Sequence, residues 1–225
     1  MPDQDHIFAE TEGDRWFDRN HLLLQAADWA TDPCLKVIAL YELKPQSVLE
    51  VGAANGYRLA AIAERLGARV VAVEPSARAI ADGQTRFPRV AFLRATASHV
   101  PTAERFDLVI LHAVLHWVDR HTLLQSVAEI DRLVGDGGFL LIGDFHPSNR
   151  LRVPYHHLPG QEVYTYKQDY ASIFLASGLY HTVAVMTRGH ASEGFSACVS
   201  EGNRFAVSLL RKDPKEHYVA AAAPQ

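Results

Sequence analysis

The sequence predicts an α/β fold built on a doubly wound, mostly parallel sheet of seven strands. Three observations predict it. Short apolar runs alternate with helical segments from residue 47 to 145. Glycines follow the first run and close the helices between them. Near the C-terminus the alternation gives way to two consecutive strand-like runs, 180–188 and 204–211. Strands separated by helices imply right-handed crossovers and a parallel sheet covered on both faces. The last two runs, joined by a glycine-containing connector, imply an antiparallel pair added at the sheet edge.

The elements follow in order. Residues 1–11 read as a loose polar lead and Val219–Gln225 as a frayed tail. Between Trp16 and Trp29, the apolar residues Trp16, Leu22, Leu23, Ala26 and Ala27 share a helical face. A second helix covers Pro33–Tyr41, with Asp32 as its cap and Pro33 at the first helical position. Ser47–Val51 is an apolar run ending in glycine, the signature of a buried parallel strand. Tyr57–Leu66 is a helix closed by Gly67. The second strand is Val70–Val73, the second crossover helix Ala77–Phe87, the third strand Val90–Leu93 and the fourth Phe106–Leu111. His121–Val134 is a helix stopped by Gly135, Gly137 and Gly138, and Phe139–Phe145 is the fifth strand. A helix at Gln168–Ala176 precedes the closing pair.

The 225 residues carry a net charge of −4, a hydrophobic fraction of 48% and a charged fraction of 21%. That composition is ordinary for a globular chain, and its length fits one domain with a modest insertion. Nothing in it marks a phosphate-backbone footprint, so no nucleic-acid partner is expected. Cys34 and Cys198 are too few for a disulfide framework. The start lacks a basic, then apolar leader, and no apolar run approaches the roughly 20 residues that span a bilayer. The expectation is a cytoplasmic protein with no membrane partner. The oligomeric state is open.

In an open α/β sheet, ligands bind beyond the carboxyl ends of the strands, where the strand order reverses. The first strand-to-helix turn reads Glu50-Val51-Gly52-Ala53-Ala54-Asn55-Gly56. Gly52 allows a sharp turn and Gly56 a close approach, while Ala53 and Ala54 keep the floor of the site low. Glu74, 22 positions beyond Gly52, ends the second strand where a carboxylate can accept both hydroxyls of a ribose. Pro75 and Ser76 bend the chain into the next helix, with Ser76 as its cap. The turn is G-x-x-x-G, with Ala54 where a dinucleotide fingerprint needs glycine to admit a pyrophosphate. Glu50 suits a ligand carrying an ammonium group, whereas a carboxylate beside phosphates would cost like-charge repulsion.

With that turn and Glu74, the chain resembles the class I S-adenosylmethionine-dependent methyltransferases of small-molecule type, from about Gly13 to Arg211. Also matching are Phe106-Asp107-Leu108-Val109-Ile110 with Val114-Leu115-His116-Trp117, and Leu133 to Ile142 entering the fifth strand. The resemblance implies a Rossmann-like sheet and S-adenosyl-L-methionine as cofactor. It divides one domain, 1–225, into lid helices at 13–45, a cofactor core at 46–145, an acceptor-site insertion at 146–178 and the strand pair at 179–211. It implies that Glu50, Gly52, Ala53, Asn55 and Gly56 shape the methionine pocket, that Glu74, Pro75 and Ser76 flank the ribose, and that Thr96 and Ala97 sit beside the adenine. Thr96 stands where the family often carries an aspartate. Backbone at Leu111 or His112 would receive the methionine ammonium. Trp16 would cover the cofactor from a lid helix, and Arg19 would pair with its carboxylate.

The acceptor is expected to be a small polar molecule. His112, close to where the methyl group should lie, is the candidate general base for O-methylation, against a plain reading as a hydrogen-bonded histidine at a strand end. His116, His146, Tyr155, His156, His157, Tyr166 and Lys167 are candidate acceptor contacts, and the resemblance points to a sugar or similar metabolite. Asp144, His146, His156 and His157 have metal-ligand chemistry but no fixed ligand spacing, so no metal is expected. Two other readings stay open: a nicotinamide-dependent oxidoreductase, and a non-catalytic S-adenosylmethionine-binding module.

Overall fold

Ser47–Val51 (β1) lies at the centre of the sheet, with Val48, Leu49, Glu50 and Val51 all buried. A computed structural model describes residues 4–192, 194–215 and 218; the expected tail at 219–225 lies outside the described residues. The other strands are β2 (Arg69–Glu74), β3 (Val90–Arg94), β4 (Phe106–His112), β5 (Val134–Phe145), β6 (Leu151–Pro154), β7 (Tyr164–Lys167), β8 (Tyr180–Gly189) and β9 (Arg204–Lys212). Seven of them form one sheet in the order β3-β2-β1-β4-β5-β9-β8. β1 pairs in parallel with both β2 and β4, which are reached by opposite excursions of the chain. The order therefore reverses at β1 and β4, and that is where an open sheet leaves a crevice. β9 runs antiparallel to β5 and β8 antiparallel to β9, as the closing strand-like runs predict.

Side chains alternate across a strand, so β1 feeds two cores. Leu49 and Val51 join Val109, Leu111, Leu140 and Ile142 on one face. Ile130 and Leu133 of α6 (Leu123–Leu133) and Phe174 of α7 (Ala171–Ala176) cover that face. Val48 packs on the other face with Ala72, Leu108 and Ile110, under α3 (Pro33–Leu40) and α4 (Tyr57–Leu66). Glu50 has the parity of Val48 and points toward α3 and α4, a placement that governs the site described below. Asp32 caps α3 as predicted, its Oδ1 accepting from the Cys34 and Leu35 amides at 2.9 and 3.0 Å. Gly67, in the left-handed region at φ 70°, closes α4. Ser76 caps α5 (Ala77–Arg86), its Oγ accepting from the Ala79 amide at 3.1 Å.

The structure corrects several boundaries. The N-terminal lead is helical from α1 (Gln4–Ile7) through a π-turn at Phe8–Glu12 into α2 (Gly13–Asn20). Its anchors are remote in sequence: the Gln4 side chain donates to the Trp117 and Tyr164 carbonyls at 2.7 and 2.9 Å. The helix expected over 16–29 ends at Asn20, and a single 3₁₀ turn leaves Leu22 and Leu23 exposed. β5 starts at Val134 rather than Phe139, because Val134 already pairs with Phe106 across an irregular register. The helix expected from Gln168 begins at Ala171. The 146–178 segment contains an antiparallel hairpin, β6 with β7, that no sequence pattern announced.

Candidate functional site

A cavity of about 330 Å³ opens where the strand order reverses. Its floor is Val51, Gly52, Ala53 and Ala54 after β1, Glu74 and Pro75 after β2, Ala95, Thr96 and Ala97 after β3, and His112, Ala113 and Val114 after β4. Phe8, Gly13, Trp16 and Asn20 of the N-terminal helical segment close it from above, with Leu23 and Leu24 beyond them. Tyr57, Arg58, Trp117, Val118 and Asp5 complete the wall.

The glycine turn is held by hydrogen bonds that engage the amides of Gly52, Ala53, Ala54 and Gly56. Gly52 N and Ala53 N donate to the Val73 carbonyl at 2.8 and 3.2 Å, and Gly56 N donates to the Ala53 carbonyl at 2.9 Å. Ala54 N donates to Glu74 Oε2 at 2.9 Å. No fan of free N–H groups is left to cradle a pyrophosphate, which dinucleotide turns require. Gly52 adopts φ +69°, and a Cβ there would lie 2.4 Å from Val114 Cγ2. Glycine is thus demanded twice, by backbone conformation and by contact.

Glu74 reaches the cavity with its carboxylate fixed in place. Its Oε1 accepts from Ser76 N at 2.9 Å, and its Oε2 from Ala54 N. Burial pushes its pKa up to about 7, although these two backbone donors pull the other way. A carboxylate offers about four lone-pair directions, so two stay free for hydroxyl donors from a ligand.

Of the residues predicted to bind a cofactor, the structure brings Trp16, Gly52, Ala53, Glu74, Pro75, Thr96, Ala97 and His112 to this cavity. Glu50, Asn55, Gly56, Ser76, Leu111 and Arg19 do not line it. Glu50 is fully buried on the α3–α4 side of the sheet and pairs with Arg58. Burial raises its pKa to about 7, opposed by the Arg58 charge. Asn55 spans to the Leu24 carbonyl at 3.0 Å and Asp82 at 2.7 Å. Ser76 donates its hydroxyl to Asp14 at 2.6 Å. Arg19 is held by Glu12 and by the Tyr155 hydroxyl.

His112 sits on the cavity wall, but its Nε2 is buried without a hydrogen-bond partner. Its ring occupies space that Gly143 leaves open, 5.5 Å from the ring of Phe205. Burial, then the Arg58 charge, push its pKa down to about 3, so the imidazole is neutral and weakly basic. None of the seven residues expected to contact an acceptor lines the cavity. His116 is buried, its Nδ1 2.8 Å from Asp144 Oδ1. Tyr155 is buried, donating its hydroxyl to Glu12 at 2.9 Å. The Arg120 guanidinium lies over the Tyr166 ring. Lys167 donates to the Gly202 carbonyl at 3.0 Å above the Phe145 ring. His156 and His157 lie against each other at the surface with their rings tilted by 44°, and His146 faces Asp169 at 3.7 Å. Among the described residues, no three His, Cys, Asp or Glu side chains converge as a metal site would need.

Trp16 was expected at the site, but Phe8 and Trp117, which join it in the aromatic part of the wall, were missed in the sequence. Phe8 stacks on Trp117 at 5.2 Å, and Trp16 meets Trp117 edge-on at 6.3 Å. Trp117 ends the Val114-Leu115-His116-Trp117 run that follows the fourth strand. Phe8 lay in the segment read as a loose lead and gave no signal. Arg58 was hidden as one charged residue in a helix pattern.

Comparison with known proteins bears on the same stretch of chain. Residues 48–138 match the family model described as a methyltransferase domain. The stretch from β1 into β5 is thus similar to a methyltransferase domain. A trans-aconitate 2-methyltransferase of Methylobacterium radiotolerans is 30% identical over 133 residues, 58% of this chain and 49% of that protein. An uncharacterized methyltransferase of Synechocystis is 29% identical over 111 residues, 48% of this chain and 52% of that protein. The chain thus spans about half the length of these curated relatives. A Burkholderia thailandensis 1,6-didemethyltoxoflavin-N1-methyltransferase, solved with its substrate and S-adenosylhomocysteine, superposes with a TM-score of 0.70. It covers 92% of this chain and 88% of its own at 18% identity, a likeness of fold alone. The range that matches the methyltransferase-domain model runs from β1 into β5 and contains the glycine turn, Glu74, Thr96 and His112.

Proposed function

We propose that this protein is an enzyme that transfers a methyl group from S-adenosylmethionine to a small-molecule acceptor. The observation that carries the reading is the shared cavity of the Gly52 turn and Glu74 at the sheet's reversal point, inside the methyltransferase domain. The residues present fit the cofactor. Glu74 keeps two acceptor directions for ribose hydroxyls. Gly52 leaves open the space a side chain would fill, and the consumed turn amides disfavour a dinucleotide. S-adenosylmethionine, when bound, supplies a methyl group activated on a sulfonium.

What the chain itself contributes is placement. Alignment of nucleophile and methyl can supply much of the acceleration in such a displacement. Trp16, Phe8 and Trp117 form an aromatic roof that excludes water and offers flat apolar faces. They suit an acceptor with a planar or C–H-rich face, such as a heteroaromatic ring or one face of a sugar. The histidines and tyrosines of 146–167, expected to grip sugar hydroxyls, are engaged elsewhere. With its conjugate acid near 3, His112 is better suited to shape the wall than to take up a proton from a hydroxyl.

Calorimetry with S-adenosylmethionine and with NAD tests the cofactor assignment. Binding of the first and not the second is expected; the reverse overturns it. Transfer of labelled methyl to a panel of heteroaromatic amines, phenols, small acids and sugars then separates an enzyme from a non-catalytic binder. A protein that binds the cofactor but labels nothing across that panel favours the binder.

A further inference from the structure

We propose that Arg58 grips the carboxylate end of the bound cofactor, with the Tyr57 hydroxyl as a second donor, in the role that the sequence suggested for Arg19. The inference rests on the reading that the ligand is S-adenosylmethionine or its product. Arg19 is unsuited to the role, since it lies outside the cavity and is committed to Glu12 and Tyr155. Arg58 lies on the cavity wall, and among the described residues lining that wall it is the one lysine or arginine. His112, beside it, is neutral.

The geometry around Arg58 is that of an aimed guanidinium. Its Nε donates to Asp32 Oδ2 at 2.9 Å, one Nη to Glu50, and the other to the Tyr57 hydroxyl at 3.0 Å. These contacts fix the plane of the fork. Guanidinium has five N–H groups, so one on each Nη is left over. A carboxylate accepts two parallel N–H donors of this kind. Tyr57 accepts from Arg58 and also lines the cavity, so its own O–H is left to donate.

The cavity is polar in different ways at its two ends. Glu74 and Thr96, at the ends of β2 and β3, offer acceptors for neutral hydroxyls and amines. Arg58 stands at the ends of β1 and β4, with Glu50 directly behind it and one Glu50 oxygen, Oε2, buried without a partner. A cation on the wall, held in place by buried carboxylates behind it, matches the carboxylate of an amino-acid group. The placement follows from the pairing of β1 and the start of α4: Glu50 points toward α4 by strand parity, and Arg58, the second residue of α4, meets it there.

The test compares S-adenosylhomocysteine with 5′-methylthioadenosine, which lacks the amino-acid group, and with the carboxyl methyl ester of S-adenosylhomocysteine. Calorimetry uses the full chain as wild type, Arg58→Lys and Tyr57→Phe. Wild type is expected to bind S-adenosylhomocysteine about tenfold or more tighter than the ester, the worth of about one charge-assisted hydrogen bond. Arg58→Lys is expected to lose that preference while holding methylthioadenosine within about threefold of wild type, and Tyr57→Phe to lose part of it. Equal weakening of all three ligands in Arg58→Lys would mean that Arg58 only braces the turn, and would overturn the proposal. So would a wild type indifferent to esterification, a measurement that stands even where the lysine variant does not fold. Wild-type binding of none of the three would instead sink the S-adenosylmethionine reading itself.

Discussion

Replacing Glu74 by glutamine probes the proposed cofactor site most directly. In the wild type, Glu74 holds two backbone amides at 2.9 Å and keeps two acceptor directions toward the cavity. Each hydroxyl donated to an ionised carboxylate is worth about 1.5 kcal/mol more than to a neutral amide, so two are worth about 3 kcal/mol, or roughly a hundredfold in affinity. Calorimetry with S-adenosylhomocysteine at pH 8 should therefore find Glu74→Gln about a hundredfold weaker than wild type. The pH dependence adds an independent arm. The Glu74 pKa is raised by burial from 4.5 to about 7 in the folded protein. Ligand hydroxyls favour the ionised form, so binding releases a proton, and wild-type affinity should rise about tenfold between pH 6 and pH 8. The same shift has the opposite sign for folding. The native state holds a proton that the unfolded chain has lost between pH 4.5 and 7, so this group's contribution to stability falls as pH rises through that window, by on the order of 3 kcal/mol. In the glutamine variant the binding slope should vanish in calorimetry, and the stability slope in urea denaturation should shrink by the Glu74 share while Glu50, raised to about 7 as well, keeps its own. A variant binding within about threefold of wild type at pH 8 refutes the assignment of Glu74 to the ribose.

Two further perturbations test the frame around the site. Gly52→Ala combines the left-handed φ, which costs an alanine about 1–2 kcal/mol, with a 2.4 Å approach to Val114 Cγ2. A loss of about 2–4 kcal/mol is expected in urea denaturation, and adding Val114→Ala should recover only the contact portion. His116→Leu leaves the buried Asp144 carboxylate with backbone donors alone, and should cost about 3 kcal/mol, whereas the exposed His157→Ala should change stability by less than about 0.5 kcal/mol. Equal effects of the two substitutions would contradict the structural role given to His116.

The sequence by itself determined the sheet. Its parallel strands are short and apolar, so their burial is written locally, and Gly52, Glu74 and Thr96 fall at strand ends by counting along the chain. The switch point, and with it the cavity floor, followed from strand alternation without any long-range contact. Tertiary structure decided which side chains face that cavity. Glu50 was legible as an acid before the turn, but only the pairing of β1 with its neighbours sends it to the α4 face, where Arg58 neutralises it. The histidines and tyrosines of 146–167 had the right chemistry and the wrong surroundings. Tyr155 found a partner in Glu12, as His116 outside that segment did in Asp144, because polar groups drawn into an interior take a partner that satisfies them, while His156 and His157 stay at the surface. The N-terminal helix was least legible, because Gln4 and Phe8 are held by residues more than a hundred positions away. No local periodicity encodes a contact of that range, yet it closes the cavity over the glycine turn.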